Sequence, residues 1–177
     1  LPVGTNTITV EFTGNTNYNG TTSSITVNVD KRESITTATL TNNTIGNTTI
    51  NIRVTDKTTG QSVTSGEIEV INAANNAVIA RGTLNSEDIN STADINTIGT
   101  YNLIIRYNGN ANYYGSQDTL NDVTIEKRAS TILVTTVDDI INNTRVTITV
   151  KDPVTGETIT NAPISITLAN GQVINTH

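Results

Sequence analysis

Apolar and polar residues alternate along this chain in short stretches with a period of two. The pattern is clearest in Thr49 to Val54 (TINIRV), Glu67 to Ile71 (EIEVI), Tyr101 to Tyr107 (YNLIIRY) and Val123 to Ile125. In an extended strand successive side chains leave opposite faces, so this pattern sends one set into a core and the other to water. A further strand is expected at about Ser34 to Leu40, with turns at Lys57 to Gly60, Asn72 to Asn76 and Asn108 to Asn112. The best helical candidate, Asn72 to Arg81, begins with turn residues and is too short, so helix is expected to be nearly absent.

The pattern also repeats over a long period. KRES at Lys31 to Ser34 returns as KRAS at Lys127 to Ser130, 96 residues later. The same spacing aligns Asn47 to Ile52 with Asn143 to Ile148, and Asp56-x-x-x-Gly60 with Asp152-x-x-x-Gly156. A second set is spaced by 95: Gly4-Thr5 with Gly99-Thr100, and FTGNTNYNG at Phe12 to Gly20 with YNGNANYYG at Tyr107 to Gly115. The one-residue difference is what a single loop insertion would give. Residues 1–30 therefore read as the last third of one module, 31–126 as a complete module, and 127–177 as the opening of a further one, so that the chain is expected to begin and stop in mid-module. About seven short strands in such a unit is the arithmetic of a β-sandwich.

Gly99-Thr100-Tyr101, the alternating strand to Tyr107, and Gly109-Asn110-x-Asn112-Tyr113-x-Gly115 together resemble bacterial and archaeal immunoglobulin-like repeat domains. The Asn- and Thr-rich character is similar to that of large adhesin-like surface proteins of methanogenic archaea. The GNxNYxG element, present at Gly14 to Gly20 and Gly109 to Gly115, is the most specific part. The resemblance implies an all-β chain of tandem immunoglobulin-like β-sandwich modules, extending a distal region from a cell envelope. It also implies an extracellular, cell-surface location. Tyr101 is placed to make a tyrosine-corner contact, but the preceding copy has Asn6 there, which puts a general role for that ring in doubt.

Composition supports strands and turns. The chain has 36 Thr and 25 Asn, and its long aliphatic residues are mostly Ile and Val. Cβ-branched side chains have little χ1 freedom to lose in a pleated strand, and Asn suits turns. A net charge of −6 leaves no basic footprint for nucleic acid or an anionic membrane. No apolar run approaches the length needed to cross a bilayer. No cofactor is implied.

The residues that chemistry needs are scarce. The one His is His177, and there is no Cys, so a hydrolytic triad lacks its base. Asp56, Glu67, Glu69, Glu87 and Asp88 could in principle supply paired acids, but they read as solvated carboxylates. Asp118, Asp122 and the Asp138-Asp139 pair lack the spacing of a calcium loop, so no metal site is assigned. Lys31 and Lys127, the candidate donors for an isopeptide bond, read as exposed linker residues. No catalytic residue and no enzymatic activity are expected.

Two kinds of surface feature remain. Asn19, Asn42, Asn47, Asn90 and Asn142 head N-x-S/T sequons and are candidate glycosylation sites in an exported protein. Tyr18 and Tyr113, at one place in successive repeats, read as turn anchors, whereas Tyr114 is matched by Asn19 and is the candidate exposed ring for a sugar or protein ligand.

The expected function is that of a structural stalk or filament-forming repeat, its partners being neighbouring modules or copies of itself head to tail. The alternative is an adhesin module binding surface glycans or proteins of another cell. Neighbouring sequence of a longer array is expected to complete both partial modules; the alternative, for a chain that is itself a subunit, is a filament built by strand complementation. Ile8, Val10, Phe12, Ile25, Val27 and Val29 form one half of a core, and Val146, Ile148, Val150, Ile164, Ile166 and Leu168 form the other.

Overall fold

The computed structural model describes residues 1–137 and 145–176. Its regular structure there is all β-strand. By internal contacts the chain divides into two compact units, Leu1–Glu126 and Lys127–His177.

The first unit opens with a hairpin of β1 (Gly4–Gly14) and β2 (Asn19–Val29), which among the described residues pair only with each other. Seven strands follow: β3 (Ser34–Thr44), β4 (Asn47–Asp56), β5 (Gly66–Asn72), β6 (Ala77–Leu84), β7 (Asp88–Ala93), β8 (Gly99–Tyr107) and β9 (Ser116–Ile125). They form two antiparallel sheets, β3-β4-β7 and β6-β5-β8-β9. Between them lies one core, including Ile50, Ile52 and Val54 of β4, Ile68 and Val70 of β5, Leu103, Ile105 and Tyr107 of β8, and Val123 and Ile125 of β9. These are the alternate residues of their strands, as the period-two pattern requires, and the arrangement is that of a β-sandwich. The segment rejected as a helix supplies β6, behind a turn that Asn76 closes at φ 55°.

The second unit has two hairpins among its described residues. β10 (Thr131–Val137) pairs with β11 (Arg145–Lys151), and β12 (Ile164–Thr167) pairs with β13 (Val173–Thr176).

The long-period repeat reappears in bond geometry. In β1–β2 Ile8 faces Ile25 and Gly4 faces Val29; in β8–β9 Leu103 faces Leu120 and Gly99 faces Ile125. The register of β8–β9 shifts between Tyr101 and Leu103, where Asp122 adopts φ 55° and its amide donates to the Asn102 Oδ1 at 2.9 Å. The residue that separates the 95- and 96-residue spacings is thus absorbed in a β-bulge inside the strand pair, not in a loop.

Candidate functional site

The features that set the module's ends are built from two short turns and the linker between β2 and β3. The first turn follows β4. Asp56 ends that strand, and its Oδ1 accepts the amides of Thr58 and Thr59, each at 2.9 Å, while the Gly60 amide donates to the Asp56 carbonyl at 2.8 Å. The Arg32 guanidinium covers the same carboxylate. Its Nη2 donates to Oδ1 at 3.1 Å, and its Nε forms an ion pair with Oδ2 at 2.6 Å. Burial pushes the Asp56 carboxyl up, but the Thr59 and Thr58 amides and the nearby Tyr113 hydroxyl outweigh it and hold the group below its ordinary range. Tyr113 is raised in turn, by burial and by that carboxylate.

The second turn joins β8 to β9. Asn110 Oδ1 accepts the amides of Asn112 and Tyr113 at 2.8 and 2.9 Å, and the Asn110 amide donates to the Tyr113 carbonyl at 3.1 Å. Gly109 sits at φ 83°, where a Cβ would come within 2.8 Å of the Tyr113 carbonyl oxygen. No other residue fits there without strain. The β1–β2 turn has the same construction, with Gly14 at φ 87° and Asn15 Oδ1 accepting the amides of Asn17 and Tyr18.

The linker is fastened across both turns. Lys31 Nζ donates to the Asn110 carbonyl at 2.7 Å, the Arg32 amide to Asn112 at 2.9 Å, and the Tyr114 amide back to Arg32 at 2.9 Å. The Lys57 amide reaches the Glu33 carbonyl at 3.1 Å. Lys31 is therefore half-buried and tied down, not an exposed linker residue; its amine meets a backbone carbonyl and no side-chain carboxamide or acid.

From this fastening β3 and β9, the first and last strands of the module, run side by side and parallel. Arg32 bridges to Tyr113 at one end and Thr44 to Glu126 at the other. Between them Ser34 Oγ donates to Ser116 Oγ at 2.8 Å, the Ala38 amide to Asp118 Oδ2 at 2.8 Å, and Asn43 Nδ2 to the Thr124 carbonyl at 3.0 Å. The far end closes with the Ile45 amide on the Glu126 carbonyl and the Glu126 amide on Asn43, both at 2.9 Å.

The sequence-predicted residues are scattered over this surface. Asn19 and Asn90 are exposed, although Asn90 Oδ1 accepts from Asn51 Nδ2 at 3.1 Å. Asn42 and Asn47 flank the β3–β4 turn and are half-buried; Asn42 Oδ1 is occupied by the amide and hydroxyl of its own sequon residue Thr44. Asn142 and the Asp138-Asp139 pair lie outside the described residues. The Tyr114 ring is 51% exposed, over a shallow recess lined by Glu33, Ser34, Lys57 and Gly115. The five carboxylates do not converge: Asp56 is buried in its turn, Glu67 is exposed on β5, Glu69 pairs with Arg81 and Arg106, and Glu87 and Asp88 stand beside Arg53. Among the described residues no three acids, His or Cys are grouped to hold a metal.

Sequence reasoning named Asp56 and Asp118 only as candidate acid or metal carboxylates and Arg32 only as part of KRES, and gave none of the three the fastening role that the structure shows. Arg32 and Asp56 did carry a signal, because both their identity and their separation recur in Arg128 and Asp152. That second pair closes at 3.0 Å, and Asp152 Oδ1 accepts the amides of Val154 and Thr155. Asp118 carried none, since Ser23 stands in its place in the other copy.

Comparison with known proteins finds no matching family, no matching curated relative and no matching solved structure.

Proposed function

We propose that residues 31–126 are one immunoglobulin-like module of a tandem array that spans distance and carries tension at a cell surface, within an adhesin-like extracellular protein. The observation that carries this reading is that β3 and β9 run side by side and parallel, joined by a bridge at each end and by side-chain hydrogen bonds between. Tension on the array would pull the chain outward at Arg32 and at Glu126, which lie at opposite ends of that pair. Parallel strands pulled in opposite directions are loaded in shear, so their cross-bonds resist together instead of opening one by one. The eleven residues of β3 span roughly 35 Å at about 3.3 Å per residue, a useful reach per module. The strand orders β3-β4-β7 and β6-β5-β8-β9 suit an immunoglobulin-like unit, and the exposed sequons at Asn19 and Asn90 suit an exported, glycosylated one.

Single-molecule extension of the chain tests this. The module should unfold as one event at a force that drops when Asp118→Ala removes the acceptor from the Ala38 amide, a loss of about 1–3 kcal/mol. An unfolding force that is unchanged by Asp118→Ala would refute the shear reading.

A second reading has one observation in its favour, the exposed Tyr114 ring beside its recess. On this view the module binds a surface glycan or protein there. Glycan-array binding abolished by Tyr114→Ala would support it, and absence of binding by the parent chain would remove it.

A further inference from the structure

Asn108 stands where the end of β8 meets the turn that carries the linker. It is exposed, and Gly109 follows it. Gly109 has no side chain to screen its amide nitrogen. The Asn108 amide donates to the Glu67 carbonyl at 3.0 Å, and the remaining bonds of the turn run through Asn110. Among the described residues none of them uses the Asn108 carboxamide or the Gly109 amide. A carboxamide carbon and a free amide nitrogen one residue further on are already joined by the chain, so their reaction needs no encounter.

The other Asn-Gly pairs of the chain are held differently. At Asn170-Gly171 the Gly171 amide donates to the Leu168 carbonyl at 2.9 Å and Asn170 Oδ1 accepts the Gln172 amide at 3.0 Å, so both reacting groups are engaged. Asn19-Gly20 lies inside β2, where a Cβ on Gly20 would come within 2.9 Å of the Phe12 carbonyl oxygen. The turn itself does not need a carboxamide at Asn108, because the counterpart in the β1–β2 turn, built with the same bonds, is Thr13.

We propose that Asn108 deamidates in the folded module. Base takes the Gly109 amide proton and the nitrogen attacks Asn108 Cγ. The new N–Cγ bond closes a succinimide, and the bond from Cγ to the carboxamide nitrogen breaks, releasing ammonia. Water then opens the ring at one of its two carbonyls. Opening at Cγ gives Asp; opening at the main-chain carbonyl gives isoaspartate, whose backbone is one methylene longer. That methylene falls between Tyr107, wholly buried and bonded through Oη to the Ser65 carbonyl at 3.0 Å, and the Asn110 and Asn112 carbonyls that hold Lys31 and Arg32. The core fixes one side, so the displacement falls on the turn and on the linker fastened to it. This end of the module therefore loosens as the protein ages, a property beyond the spacer reading and independent of it.

The test holds the full-length chain, folded, in mildly alkaline buffer, then maps its peptides by mass spectrometry with isoaspartyl methyltransferase marking isoaspartate. Residue 108 should show the amide-to-acid mass gain, part of it methylated, and faster at higher pH because the nitrogen must lose its proton. Exchange of the Arg32 amide should be faster in aged than in fresh chain. Asn108→Thr, which borrows the residue of the other copy, should fold, give no product there and keep Arg32 protected through the same incubation. Asn108 intact in the folded chain, over a time in which it converts in urea, would overturn the proposal. Arg32 protection lost equally in Asn108→Thr would overturn the loosening. Neither result bears on the unfolding force of Asp118→Ala.

Discussion

In β8–β9, Leu103 and Ile105 are wholly buried; in β1–β2, Ile8 and Val10 occupy the same places and are 37% and 66% exposed. The two strand pairs share alternation, the cross-strand register at Gly4 and Ile8 and their counterparts, and a turn with matching hydrogen bonds. What differs is the cover. β8–β9 lies against β4 across the core and pairs along β5, whereas among the described residues β1–β2 pairs with no further strand. Local sequence is thus enough to shape a hairpin, but the stabilisation comes from whichever strands close over it.

The sharpest way to break the comparison is to cut back equivalent side chains in both copies. Ile105→Ala should cost about 2–5 kcal/mol, because the cavity it leaves is enclosed. Val10→Ala should cost less than about 0.5 kcal/mol in dilute chain, where the residue faces water. Hydrogen exchange of the β8 and β1 amides in the full chain reads the two separately. A comparable cost at both sites would mean that β1–β2 is covered after all.

Next in size is the turn glycine. Gly109→Ala must hold a Cβ at φ 83° and within 2.8 Å of a carbonyl oxygen, which should cost about 2–3 kcal/mol. Gly14→Ala meets the Gly20 amide nitrogen at the same 2.8 Å. With no core to hold it, β1–β2 should open altogether, seen as loss of protection from Gly4 to Val29 while β8 exchange is unchanged.

Acid should act on both units through one device. Asp56 and Asp152 are each held below the ordinary carboxylate range. At Asp56 the turn amides and Tyr113 outweigh burial; at Asp152 the Val154 amide leads, with Thr155 and Arg128 adding to it against burial. A depressed folded pKa gives stability that is complete above the unfolded value of about 3.9 and is lost as pH falls through the folded value. Denaturation midpoints should therefore be flat near neutral pH and fall below about pH 4. Asp56→Asn, which retains an oxygen for the turn amides, should lower the neutral-pH midpoint and flatten the acid fall in the first unit alone.

Much of this was legible in the sequence. Alternation located β4, β5, β8 and the end of β9, and the repeat located the two turns, because each depends on neighbours in the chain. β6 and β7 carried weaker patterns: Ala77 to Leu84 includes Ala80, Arg81 and Gly82, and its strand form comes from pairing with β5. The fastening of β3 to β9 was not legible at all, since a carboxylate at Asp118 becomes a backbone acceptor only when a strand 80 residues away is laid beside it. The sequons were easy to find, but whether an Asn side chain stands free, as at Asn19, or folds back on Thr44, as at Asn42, is a matter of local geometry that the motif does not contain.

The smallest expected effect concerns Tyr101 and Asn6. Tyr101 Oη donates to the Thr97 carbonyl at 2.9 Å, four residues upstream in the chain. Asn6, whose presence put a general role for the ring in doubt, makes the equivalent bond, its Nδ2 donating to the Pro2 carbonyl at 2.9 Å and also to Gly4 at 2.8 Å. What the repeat keeps is therefore a donor aimed at that upstream carbonyl, which pins the chain as it enters the strand; the ring is one way of carrying it. Tyr101→Phe removes the donor and leaves the packing, and should cost about 0.5–1.5 kcal/mol. Tyr101→Asn should recover part of that bond while losing the ring's contact with the core. If Phe proves harmless and Asn does not, the corner is held by packing, and the likeness between Asn6 and Tyr101 is a coincidence of two half-buried side chains.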